Sequence, residues 1–108
     1  MNVVFEERYR YMLEEKIEET FPGVKVVGIR KTKYMVFVKM KSNKKKTYDV
    51  LVCNLNSGDP LCLIAWHGAW RQYTMKSVKC EINQITFNRD CLKDIIEYID
   101  ELMNERIN

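Results

Sequence analysis

Ile64-Ala65-Trp66-His67-Gly68-Ala69-Trp70-Arg71-Gln72-Tyr73 holds both tryptophans of the chain, its only histidine, and an arginine set among aromatics. Gly68 can adopt positive φ, which short hairpin turns often require. Before it, Cys62, Ile64 and Trp66 alternate with Leu61, Leu63 and Ala65, a strand apolar on both faces and suited to the middle of a sheet. After it, Trp70, Gln72 and Thr74 alternate with Arg71, Tyr73 and Met75, so one face is polar or amphipathic. The stretch therefore predicts a hairpin, with strands over residues 61–66 and 70–75. Its tryptophans are expected to seal one end of a core. Trp70, Arg71 and Tyr73 are the candidate partner-binding residues, because these types are enriched at binding hot spots. Alternation opposes Trp70 to Arg71 and Tyr73. The expectation is thus a split role: Trp66 and Trp70 in the core, Arg71 and Tyr73 available to a partner.

Outward from the hairpin the period stays at two. Residues 24–30, 33–41 and 47–53 read as three earlier strands, and their connections are too short for parallel crossovers. Asn54 to Pro60 carries the clearest turn chemistry in the chain. Residues 76–83 are ambiguous, since Val78, Cys80 and Ile82 alternate and allow a sixth strand. Residues 84–87 read as a short extended piece.

The two ends have helical period. Phe5, Tyr9, Met12, Leu13 and Ile17 mark a helix over residues 3–20, stopped by Pro22-Gly23. Leu92, Ile95, Ile96, Ile99, Leu102 and Met103 form an apolar stripe on a second helix, residues 89–105, with Asn88 as N-cap. The predicted architecture is a single α+β domain over 1–108. It has an antiparallel sheet of five or six strands, with the N-terminal and C-terminal helices both on one face.

Composition narrows the function classes. The chain has 108 residues, 46% hydrophobic and 31% charged, enough for one packed core without staples. No run approaches the roughly 20 apolar residues of a membrane helix, and Glu6 and Glu7 stand where a signal peptide wants cations. A cytoplasmic protein is expected. Cys53, Cys62, Cys80 and Cys91 lack the close pairing of a zinc site and read as buried thiols. There is no phosphate-binding glycine loop and no nucleophile elbow, and one histidine limits acid–base chemistry. No catalytic residue, metal site or cofactor is predicted, and the chain is read as not an enzyme.

Charge is segregated. Residues 24–46 hold nine Lys or Arg and no acid, while residues 1–20 and 87–108 each carry six acids against three bases. A second functional reading follows, nucleic-acid binding by the basic hairpin. Lys33, Phe37, Lys39 and Lys41 would share one strand face, with Lys44, Lys45 and Lys46 in the adjoining connection. An exposed aromatic among cations can stack a base while the cations meet phosphates. The structural alternative is that the lysines guard an edge strand against aggregation.

The chain also resembles a group of small uncharacterised phage and prophage proteins. These run strand, Trp-x-Gly-x-Trp-Arg-Gln-Tyr, strand, then a helix opening with Asn or Asp and a Cys-Leu pair. The matching residues are Trp66, Gly68, Trp70-Arg71-Gln72-Tyr73, Thr86-Phe87-Asn88 and Cys91-Leu92, over roughly residues 50–105. His67 departs from the aromatic expected there, and residues 76–83 are longer than the pattern. The resemblance implies a phage or mobile-element origin, hence the host cell cytoplasm, and a compact α+β fold. It implies no activity. The leading expectation is a non-enzymatic accessory protein that binds a host or viral protein.

Overall fold

β1 (Val24–Lys31), β2 (Met35–Ser42), β3 (Tyr48–Asn54), β4 (Pro60–His67) and β5 (Gln72–Ser77) pair in chain order as one antiparallel sheet. A C-terminal helix, Arg89–Ile107, follows. The computed structural model describes residues 14–15, 17–19, 21–78 and 84–107. Residues 79–83, where a sixth strand was an option, and most of the predicted first helix lie outside these.

The turns have identifiable chemistry. Pro22 and Gly23, with φ +85° at Gly23 and the Val24 N–H donating to the Phe21 carbonyl at 3.2 Å, make the Pro-Gly turn that leads into β1. Asn54 Oδ1 accepts the N–H groups of Asn56 at 2.9 Å and Ser57 at 3.0 Å, while Gly58 takes φ +76°. That side chain substitutes for a backbone turn between β3 and β4. Asn88 Oδ1 accepts the Cys91 N–H at 2.8 Å, the expected N-cap.

The C-terminal helix covers one face of the sheet. Met35, Phe37, Val50, Val52, Cys62, Ile64 and Tyr73 are buried there with Cys91, Ile95, Tyr98 and Leu102. Each fully buried aliphatic or aromatic side chain contributes about 1.5–3 kcal/mol relative to exposure. The helix face that turns inward differs from the predicted stripe. Cys91, Ile95, Tyr98 and Leu102 form its centre, Ile99 and Met103 are half-buried, and Leu92 and Ile96 are exposed. Tyr98 carries a polar hydroxyl and lies outside the predicted stripe, yet its ring is the widest apolar surface on the helix and is buried. It draws the helix round.

The opposite face buries Val36, Val38 and Met40 with Ile17, flanked by Val24, Val26, Ile29, Leu51, Leu55 and Leu63. Residues 14, 15 and 17–19 are helical, and Ile17 is their buried residue. The expectation that both helices share one face therefore fails for the described part of the first. β2 is the reason: Met35 and Phe37 point to one side and Val36, Val38 and Met40 to the other, all buried. A strand apolar on both faces needs a cover on each.

Candidate binding surface at the hairpin end

The register brings two predicted sites to one end of the sheet. Lys41 pairs with Tyr48, Val50 with Ile64, and Trp66 with Tyr73. The β2–β3 connection and the β4–β5 connection thus emerge at the same end, separated laterally by two strand spacings, about 10 Å.

β4 and β5 close through the His67–Gln72 pair, so Gly68, Ala69, Trp70 and Arg71 make a four-residue turn. The Arg71 N–H donates to the Gly68 carbonyl at 3.3 Å. Arg71 takes φ +54°, and is the one non-glycine residue at positive φ among those described. The left-handed conformation costs an L-residue about 1–2 kcal/mol. Trp70 consequently sits on the turn, not in β5. It is 66% exposed, with its ring 4.4 Å from that of His67.

Tyr73 has the opposite fate. It is buried, its ring meets Trp66 edge-on at 5.3 Å, and its hydroxyl oxygen accepts the Tyr48 N–H at 3.1 Å. Its own N–H is directed at the Met103 sulfur, 3.3 Å away. The split role expected from alternation is inverted for these two residues. Trp70 is out and Tyr73 is in, because the turn takes four residues and begins β5 two positions later than predicted. Trp66 is half-buried, and the Arg106 guanidinium lies 4.0 Å from its ring. The hairpin tip therefore presents Trp70, Arg71 and His67.

The basic hairpin is largely answered within the molecule. Phe37 is fully buried and stacks on Tyr98, so it shares no exposed face with the lysines. Lys39 pairs with Glu105 at 3.1 Å and lies 4.2 Å from the Tyr48 ring. Arg30 pairs with Glu101 at 2.8 Å and lies 4.7 Å from the Tyr98 ring. The acidic C-terminal helix is thus clasped to the basic strands. Lys41 reaches the Ser42 and Lys45 carbonyls and ties the β2–β3 turn together. Lys45 pairs with Asp49 at 3.5 Å, and Lys33 lies 5.3 Å from the Tyr34 ring. Lys44, Lys45 and Lys46 are exposed on that turn. Sequence reading missed the aromatic partners of Arg30 and Arg106, since no local signal links residues so far apart.

Cys53, Cys62 and Cys91 are buried, as expected; Cys80 lies outside the described residues. Burial, with a smaller contribution from neighbouring Cys53, pushes the Cys62 thiol up from 9.0 to about 12. Such a thiol is protonated and unreactive at neutral pH. Among the described residues no three His, Cys, Asp or Glu gather so as to hold a metal ion. Nor is any described helix long and apolar enough to cross a membrane.

The sequence is 40% identical, over 80 residues, to the uncharacterised 9.3 kDa protein of Acholeplasma phage L2, a match covering 74% of this chain and 97% of the phage protein. The chain belongs to the family of that phage protein. The kinship bears out the resemblance to small phage proteins. No family model matches the chain, and no solved structure does.

Proposed function

We propose that this chain is a small, single-domain, non-enzymatic phage accessory protein that acts in the host cytoplasm by binding a host or viral protein. The docking point is the hairpin tip, and the Trp-x-Gly-x-Trp-Arg-Gln-Tyr pattern is its signature. One observation carries the reading. Trp70 is two-thirds exposed on a turn held by β4, β5 and the buried Tyr73. Exposing an indole forgoes burial that would otherwise stabilise the fold, and tryptophan and arginine dominate binding hot spots. The site departs from the predicted trio in one member, since Tyr73 supports the tip from beneath instead of meeting the partner.

Affinity capture from nuclease-treated host lysate tests this, with the wild-type chain compared against Trp70→Ala and Arg71→Ala. A protein retained by the wild type and lost with Trp70→Ala, at unchanged melting temperature, supports the reading. Equal retention by all three chains removes the tip as the docking point.

A further inference from the structure

The end of the sheet that carries the hairpin tip also carries the lysine turn, and neither feature accounts for the other. We infer that this end is a binding site for single-stranded nucleic acid, with Trp70 as a base platform and Lys44, Lys46 and Arg71 as phosphate contacts. The inference goes beyond the protein-docking reading and does not depend on it.

Three observations converge. Trp70 offers an exposed aromatic face beside the cationic Arg71. Three consecutive exposed lysines stand about 10 Å to the side, two strand spacings away. The carboxylate nearest in sequence, Asp49, is paired with Lys45. Cations that track a backbone next to an aromatic on which a base can stack are what sequence-tolerant single-strand binding uses. A duplex keeps its bases stacked and cannot offer one to Trp70, so the single strand is the favoured form. The cations are mostly lysines, point charges suited to phosphate contact, not to bidentate base readout. This site differs from the one read in the sequence. Phe37 is excluded by burial and Lys39 by Glu105, whereas Trp70 and Arg71 come in from the other hairpin.

The test is a titration of the full chain with oligothymidylate and oligouridylate of about twelve nucleotides, a length within the range that single-strand-binding domains occupy. Tryptophan fluorescence and anisotropy are read at several salt concentrations. The expected result is quenching on binding, and affinity that falls with salt. Trp70→Ala should abolish the larger part of the quench and weaken binding by about 5-fold to 150-fold, the range for losing one base–aromatic stack. The double variant Lys44→Ala with Lys46→Ala leaves the Lys45–Asp49 pair in place. It should lower the slope of log affinity against log salt by about 1.4, two single-strand phosphate contacts. Melting temperatures of both variants should match the wild type, since all three residues are exposed. The inference is overturned by no binding at low salt, by tighter binding to duplex DNA, by equal binding to polyglutamate, or by variants that bind like the wild type. Protein capture through the tip could survive any of these outcomes, so the two readings fail separately.

Discussion

Tyr98 lies flat on Phe37, ring centroids 4.9 Å apart and planes 2° from parallel. The stack joins the C-terminal helix to β2 at the centre of the larger core, and Arg30 lies against Tyr98. Aromatic pairs of this kind add about 0.5–1.5 kcal/mol to their area burial. Phe37→Ala is therefore expected to destabilise by about 3–5 kcal/mol, the usual range for a buried phenylalanine. Chemical denaturation measures it. A change below about 1 kcal/mol would mean that Phe37 is not the residue on which the helix rests.

Tyr73 and Trp70 should separate cleanly. Tyr73→Phe removes the acceptor of the Tyr48 N–H and should cost about 1 kcal/mol, while keeping the ring contact with Trp66. Trp70→Ala should stay within about 0.5 kcal/mol of wild type, as exposed substitutions do. Thermal melts of both variants decide it. A Trp70→Ala chain less stable than Tyr73→Phe would return Trp70 to the core.

Arg71 sits at φ +54°. Arg71→Gly relieves the left-handed strain but loosens the unfolded chain, which offsets about 0.4–1 kcal/mol of the gain. The net expectation is a melting temperature equal to or above wild type. Arg71→Val should lower it, since a β-branched residue tolerates this conformation poorly. If glycine destabilises and valine does not, the turn is held in some other way.

Stability should fall at alkaline pH. Cys62 is raised from 9.0 to about 12 by burial and by Cys53. Tyr98 is raised above 10.0 by burial and by Glu101 and Glu105, against the opposing pull of Arg30. Both groups ionise first in the unfolded chain. Their contribution is therefore complete below about pH 9 and is lost as pH climbs through the unfolded values toward the folded ones. Cys62→Ala should lower stability at neutral pH yet flatten the decline that begins near pH 9. Denaturation midpoints from pH 7 to 11 test this, and an unchanged slope in the variant would clear Cys62 of the effect.

The α+β class, the five strands and the C-terminal helix were legible in the sequence, because each is written within a few residues. The period of two, the Asn54 turn, the Asn88 cap and connections too short for a crossover act locally and leave a meander as the outcome. Which side each piece turns to was decided only by the tertiary structure. β2 is apolar on both faces, so its pattern could not say that Phe37 goes beneath Tyr98 while Val36 and Val38 go to Ile17. Charge segregation read as an outward-facing surface, yet Lys39 and Glu105, 66 positions apart, neutralise one another across the fold. Trp70 and Tyr73 exchanged roles because a four-residue turn, fixed by the β4–β5 register and by the strain accepted at Arg71, shifted the start of β5. Local chemistry specifies an element. Its partner is set by contacts that exist only once distant elements have met.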